Sequence, residues 1–399
     1  MKSGGMIALG LVTPGWLSTL AKAELIRSAK GGKPDKDTIL VVCQLSGGND
    51  GLNTVVPFAN KTYYDVRPDI AIEESKVLKL NDQMGFHPAM VGLAELYKQK
   101  RVAIIQNVGY PRPNRSHFAS MDIWHSASPE LSMRYGWIGR HLDTKMAGGP
   151  LNPVYAIGLS TEKPRALTAK QASIPCFASL VDLKSMVGDA DSQQLLRKIQ
   201  GTEVTQGSDA SVVQNANRAA LDAIQVLNEK LAGYSLKQQY GNDAFGRGFS
   251  QVAQLIATSP ATRVVYFSAG GFDTHARQDQ THEKLLGDLS NGISAFMKEM
   301  EACGKADKVV LVVFSEFGRR VQQNGSGGTD HGHGSVMFLI GKPVKGGFYG
   351  DYPDLNNLFQ GDLVGKIDFR EVYATALDEW MGGDSEVVLG KKFNHINVL

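Results

Sequence analysis

The sequence is short of cysteine, of charge of one sign and of long apolar runs, and each shortage removes a class of protein. Its three cysteines, Cys43, Cys176 and Cys303, are odd in number, far apart and without a C-x-x-C pair. That excludes a disulfide framework and a cysteine-ligated zinc site. Cys43 lies in an apolar run and reads as a small buried hydrophobe. Basic residues outnumber acidic ones by only two, 42 to 40, so no global field draws nucleic acid or a strongly acidic partner. No stretch interleaves aromatic and basic side chains as single-strand binders do. No segment has the roughly 20 consecutive apolar residues that span a bilayer, so stable membrane insertion is not expected. Histidine is scarce, at nine residues, which makes its placement informative.

What is present is a chain of 399 residues, 42% hydrophobic, enough for one large core or two modest ones. Residues 1–23 read as an export signal: Met1-Lys2, a mildly apolar Met6–Leu20, then Ala21-Lys22-Ala23 as an A-x-A-like cleavage site. The h-region is weak, as on the twin-arginine route, although no Arg-Arg pair is there; an amphipathic N-terminal arm is the alternative. The first reading implies a periplasmic or secreted protein.

From Asp37 onward, apolar runs alternate with amphipathic segments. Thr38–Leu45, Arg101–Asn107, Pro153–Gly158, Arg263–Ser268, Lys308–Phe314 and Ser335–Ile340 read as strands. Met90–Lys100, Ser116–His125, Gly136–Leu142, Ser211–Leu231, Asp243–Ala257, Gln280–Cys303 and Phe369–Met381 read as helices. Near-continuous apolar strands between helices predict an α/β fold whose mostly parallel sheet is covered on both faces. Residues 159–210, rich in Ser, Ala, Lys and Gln, read as an inserted lid region within a domain over 37–399.

The polar clusters follow the carboxyl ends of these strands, where ligands bind in open α/β sheets. Asp50 follows the first strand, in Gly-Gly-Asn-Asp-Gly. Asn114, Arg115, Ser116 and His117 follow the second. Asp273 and His275 follow Arg263–Ser268, and Glu316 follows Lys308–Phe314. Asp330, His331 and His333 crowd four residues of a glycine-rich segment before Ser335–Ile340. Carboxylates and imidazoles together suit a divalent cation: zinc first, with manganese or calcium as alternatives. Each cluster also has a plainer reading. Asp50 could serve a turn, Asp273-Thr274-His275 a helix cap, Asp330–Gly334 a solvated loop, and Ser116 an N-cap. Arg319 and Arg320 could pair with Glu316 or hold an anionic substrate. His87 reads as a helix-entry residue, and His125, His141, His282 and His395 as core or surface histidines.

The runs QLSGGNDGLNTVVPF, GYPRPNRSHFASMDIW, GGFDTHARQ and SEFGRR…GTDHGHG resemble a bacterial family of twin-arginine-exported proteins of unknown function. That family is similar to the alkaline phosphatase/sulfatase superfamily, and the resemblance covers nearly the whole chain from Asp37. It implies an alkaline phosphatase-like three-layer sandwich. Asp50, Asp273, His275, Glu316 and His331 or His333 would match the superfamily's metal ligands, and Ser116 its nucleophile. Three departures stand out: Asp273-x-His275 in place of Asp-x-x-x-His, Glu316-Phe317 in place of Asp-His or Asp-Asn, and no sulfatase maturation motif around Ser116.

The resulting expectation is a metal-dependent hydrolase of phosphate or sulfate esters acting outside the cytoplasm. Metal would be held among Asp50, Asp273, His275, Glu316, Asp330, His331 and His333. Ser116, Arg115 and His117 would do the chemistry, and Asn114 and Arg319 would hold a small anionic ester or a sulfated or phosphorylated glycan. A non-catalytic secreted binding or assembly protein retaining the fold is the other reading. Oligomeric state is not legible.

Overall fold

The computed structural model describes residues 37–180, 227, 231 and 233–399. Among them twelve strands occur: β1 (Ile39–Leu45), β2 (Val55–Val56), β3 (Leu78–Lys79), β4 (Gly85–Phe86), β5 (Val102–Gly109), β6 (Ala156–Leu159), β7 (Cys176–Phe177), β8 (Val264–Ala269), β9 (Val309–Phe314), β10 (Ser335–Ile340), β11 (Gly347–Tyr349) and β12 (Ile367–Asp368). Nine form one sheet in the order β11-β5-β10-β9-β1-β8-β6-β7, with β12 also pairing with β5. Pairing is parallel except at β10, which is antiparallel to both β5 and β9. The remaining three make a small antiparallel sheet, β2-β4-β3.

The α-helices of the described residues are α1 (Gly51–Thr54), α2 (Lys61–Asp65), α3 (Val91–Lys98), α4 (His117–Ser126), α5 (Trp137–Lys145), α6 (Ala244–Thr258), α7 (Gln278–Ala302), α8 (Phe369–Thr375) and α9 (Ser385–Leu389). Because successive strand side chains point to opposite faces, β1 sends Ile39, Val41, Cys43 and Leu45 into one core and Leu40 and Val42 into the other. The first core is closed by α3, α6 and α7 through Leu93, Phe249 and Phe296. The second is closed by α4, α5 and α8 through Trp124, Ile138 and Tyr373. The result is the expected three-layer α/β sandwich with a mostly parallel sheet. All seven residues of β1 and all six of β9 are buried, which is why these segments carry unbroken apolar runs rather than alternation.

Most expected elements fall within two or three residues of the observed ones. The last helix differs: α8 ends at Thr375 and passes into a π-helical turn, Ala376–Trp380. Most of the expected helix Ser211–Leu231, the expected signal segment 1–23 and residues 181–210 of the expected insertion lie outside the described residues. Residues 159–180 bring β7 to the sheet edge and bury Ala166, Leu167 and Phe177. No helix among the described residues is long and apolar enough to cross a membrane.

Register places the site. Leu45 pairs with Ala269, and Gln44 with Phe314, so β1, β8 and β9 end level with one another. β10 runs the other way, with Ser335 opposite Val108 near the end of β5. The loops 46–50, 110–116, 270–277 and 315–319, and the segment 328–334, therefore all lie at one edge of the sheet.

Candidate metal centre

The loops at this edge are stitched together by backbone and by one arginine. Gly47 has φ +121°, and a Cβ there would lie 2.4 Å from the Asp273 backbone nitrogen, so only glycine lets the first loop approach the third. Gly332 packs as tightly: a Cβ would lie 2.5 Å from the Arg319 carbonyl carbon. This permits the paired bonds Gly332 N–Gly318 O (2.8 Å) and Gly318 N–His333 O (2.9 Å). Arg319 is buried and donates to Gly48 O (2.7 Å), Thr329 O (2.8 Å), Phe272 O (2.9 Å), Gly47 O and Asp273 Oδ1 (2.6 Å). Those bonds engage all three guanidinium nitrogens. Arg319 thus braces the loops, and the structure places its guanidinium on their carbonyls and on Asp273, where the sequence suggested an anionic substrate.

Four side chains from three of these segments converge. Asp273 Oδ1 lies 3.0 Å from His275 Nε2, 3.0 Å from His331 Nε2 and 3.5 Å from His117 Nε2. His275 Nε2 and His331 Nε2 are 2.9 Å apart, and the His117 and His331 ring centroids are 4.4 Å apart. Asp273 and His275 are about half exposed and His117 and His331 about a quarter, so the cluster faces solvent.

Each imidazole is held from behind. His117 Nδ1 meets Glu316 Oε1 at 2.8 Å, His275 Nδ1 meets Asp330 Oδ1 at 3.0 Å, and His331 Nδ1 meets the Arg115 carbonyl at 2.8 Å. A carbonyl or ionised carboxylate only accepts, so the proton of each neutral imidazole is assigned to Nδ1. Each Nε2 then turns a lone pair toward the same carboxylate. Lone pairs facing one another repel unless a cation or a shared proton lies among them. His117 Nε2 is buried and has no hydrogen-bond partner. Donors about 2.0–2.1 Å from one zinc ion stand about 3.3–3.4 Å apart on a tetrahedron, and the distances above bracket that spacing. Imidazoles fixed by an oxygen on the far nitrogen are the usual support of a metal site. His117, His331 and Asp273 therefore offer three donors within 4.8 Å of one another that could hold a divalent cation, with His275 beside them.

The local field agrees. The Glu316 bond raises the His117 imidazole above its ordinary range, against the effect of burial. Burial acts to raise the Asp273 carboxyl, but the Arg319 guanidinium beside it opposes this, and the group stays well below the usual carboxylate range. Bonds from Asn324 and His275 likewise lower Asp330.

Helix α4 delivers His117. On its next turn Ser120 Oγ donates to the Glu316 carbonyl at 2.5 Å, while the His117 ring meets the Glu316 carboxylate. Residues three apart share a helix face, so one turn of α4 reads both ends of Glu316. Ser116 occupies the N-cap position with φ −84° and ψ 126°, yet its side chain makes no capping bond. Its backbone nitrogen donates to Asn114 Oδ1 at 2.8 Å, and both residues are exposed.

Other expected residues stand elsewhere. Asp50 is buried, caps α1 and gives its carboxylate to Arg67 (2.6 Å) and Gln278 (2.5 Å); burial opposes its charge, and Arg67 outweighs this. Glu316 is fully buried behind His117, bonded also by Gly47 N (2.8 Å) and Ser315 Oγ (3.2 Å). The Arg115 guanidinium is taken by Asp362, at 3.0 and 2.5 Å, so only its carbonyl serves the cluster. His333 is buried 3.2 Å from Asp362 and stacks near Phe359, apart from the cluster; burial lowers its affinity for protons, against Asp362. Sequence reasoning gave His117 a different role from the one its geometry suggests, and passed over Arg67, Gln278 and Asp362. A histidine directly after the helix-opening serine was a usable signal for the first. Nothing local marks the other three, whose partners lie 17 to 247 residues away.

Solved structures similar to this chain include a protein in the alkaline phosphatase superfamily from Vibrio parahaemolyticus, 9% identical, covering 94% of this chain and 78% of that one, with a TM-score of 0.41. Another is the PsFucS1 sulfatase from Pseudoalteromonas sp., 9% identical, covering 97% and 75%, with a TM-score of 0.37. A third is the C-terminal periplasmic domain of EcEptC from Escherichia coli in complex with zinc, 11% identical, covering 77% and 75%, with a TM-score of 0.33. Among curated proteins none matches. The family match is extensive, spanning residues 35–388, and the chain belongs to the family described as "Protein of unknown function (DUF1501)".

Proposed function

We propose that the protein is a metal-dependent hydrolase of phosphate or sulfate esters that acts outside the cytoplasm. The observation that carries this reading is the convergence of the His117, His275 and His331 imidazoles on the Asp273 carboxylate, at 3.5, 3.0 and 3.0 Å. That donor set suits zinc better than calcium, which prefers all-oxygen ligands. A divalent cation in this position supplies Lewis acidity toward the ester oxygen and makes a neighbouring hydroxyl a better nucleophile at neutral pH. Glu316, Asp330 and the Arg115 carbonyl orient the three rings. Ser116, whose hydroxyl is not spent on capping and which opens the helix carrying His117, would attack the phosphorus or sulfur as the bond to the ester's alcohol oxygen breaks and that oxygen takes up the serine proton, and water would then free the phosphate or sulfate and restore the serine; a water attacking directly would displace the same alcohol. Asn114 is exposed beside it and is available to a substrate oxygen. The substrate is a small anionic phosphate or sulfate ester. Residues 37–399 are taken as one domain with an insertion near 159–210. The extracytoplasmic setting rests on the signal-like residues 1–23.

The engagement of Arg115 and Arg319 by Asp362 and by the loop carbonyls favours the second reading, a binding protein that uses the cation structurally. One experiment separates the two. Purified protein is analysed for bound metal, and turnover of p-nitrophenyl phosphate and sulfate is compared with that of Ser116→Ala. The hydrolase reading expects near-stoichiometric metal and a turnover that falls about a hundredfold or more in the variant, with metal retained. Bound metal without turnover supports the binding protein, and the absence of both sinks the metal centre itself.

A further inference from the structure

A cavity of about 210 Å³ opens beside the histidine cluster. Two of its lining residues touch that cluster. Glu316, which holds His117, lines it, and so does Phe317, whose ring centroid lies 4.8 Å from those of both His117 and His331. We propose that this cavity receives the organic group of the ester, and that this group is a single aromatic ring or an apolar chain of similar size, not a sugar. The inference rests on the hydrolase reading.

The size fits: an apolar cavity of about 150 Å³ takes up benzene, and this one is somewhat larger. Its walls come from Tyr110, the prolines 111 and 113, Phe317, Phe359 and Leu363, with glycine backbone between them. Phe359 and Val364 at the rim are 48% and 37% exposed, so both are open to a ligand at the mouth. A sugar ring carries hydroxyls on every side, and each buried without a partner costs about 1–3 kcal/mol. Most of its polar groups are already engaged: Arg112 pairs with Glu130 at 3.7 Å and the Tyr110 hydroxyl meets Ser120 at 2.9 Å, which leaves the His333 imidazole to meet one hydroxyl of a ring that carries several. Glu316 already has both oxygens engaged, by Gly47, His117 and Ser315. Trp124 lines the cavity, is 1% exposed, and has an indole N–H with no hydrogen-bond partner. A buried tryptophan N–H usually finds an acceptor. The backbone around the mouth is held in a conformation that side chains seldom adopt, with φ +55° at Arg112, between the two prolines, and +54° at Gln360 beside Phe359. Such positions concentrate where a ligand is gripped.

The test measures binding apart from hydrolysis. 4-Nitrophenol is titrated into the full-length protein, metal-free and zinc-loaded, by calorimetry, with glucose as the polar probe. Saturable binding of 4-nitrophenol in both forms is expected, with none of glucose. Val364→Lys and Phe359→Ala, both at exposed positions, are each expected to weaken it about tenfold or more, with thermal melting confirming that they fold. In turnover, kcat/KM for phenyl phosphate should exceed that for glucose 6-phosphate, and the rim variants should erase the difference. Absence of saturable binding, binding indifferent to both variants, or equal use of the two esters overturns the proposal. Binding that is lost in both variants supports the cavity even where no ester is turned over, a result that would count against the hydrolase reading alone.

Discussion

Glu316→Gln isolates what the buried carboxylate does for the cluster. Glu316 Oε1 accepts from both Gly47 N and His117 Nδ1 at 2.8 Å. Glutamine keeps one acceptor oxygen in nearly the same place and removes the charge. A hydrogen bond to a charged acceptor contributes about 1.5–3 kcal/mol and a neutral one about 0.5–1.5 kcal/mol. The His117 tether therefore weakens by about 1–1.5 kcal/mol, which corresponds to roughly a tenfold loss of zinc affinity. This lies at the lower end of the 10–100-fold range typical of partners that orient a metal-bound imidazole. Glu316→Ala should cost more in stability, because it leaves the Gly47 N–H and the His117 N–H buried without acceptors. The assay is zinc competition against a chelating dye at fixed pH, with urea unfolding of the metal-free proteins as the control for fold. His331→Ala serves as the reference for outright loss of a ligand. If Glu316→Gln binds zinc as tightly as the parent protein while His331→Ala does not, His117 is not a ligand steadied by Glu316, and the reasoning fails.

Three further outcomes are expected. Arg67 is 0% exposed and bonds Asp50, Asn53, Val321 O and Arg320 O, so Arg67→Met should lower stability by about 3–5 kcal/mol by stranding a buried carboxylate; an unfolding midpoint close to that of the parent protein would refute this role. Burial holds His87 and His125 down to about 4 and His282 to about 3. These depressed values mean that the folded state keeps the rings neutral, so their contribution is complete above about pH 6.5 and is lost as pH falls toward 4, at about 1 kcal/mol per ring per pH unit. Denaturant midpoints that stay level between pH 7 and 5 in His282→Asn and parent alike would contradict it. Finally, EDTA should lower the melting temperature and added zinc should restore it, because a ligand that binds only the folded state stabilises that state; no shift in either direction argues against a cation in the cluster.

The architecture was largely legible in the residues because burial on both faces leaves an unbroken apolar run, and TILVVCQL and KVVLVVF have no other comfortable place than the middle of a covered sheet. The site was legible in part. Polar residues after successive strand ends predict a common edge, and Asp273, His275 and His331 do meet there with Glu316 and Asp330 behind them. Which oxygen or nitrogen faces the cluster was not legible. Asp50 and Arg319 carry the right chemistry, yet Asp50 is met by Arg67 and Gln278 and Arg319 is met by loop carbonyls, partners that only the crossing of distant loops supplies.

By itself, then, the sequence determined the strands, the covering helices and the edge where polar groups gather, since these follow from local periodicity and from where apolar runs stop. Tertiary structure alone decided that His117 turns its free nitrogen toward Asp273, that Glu316 stands behind it, and that an apolar cavity lies alongside. Those facts depend on hydrogen bonds between residues some 50 to 270 positions apart, and no spacing within a single segment encodes them.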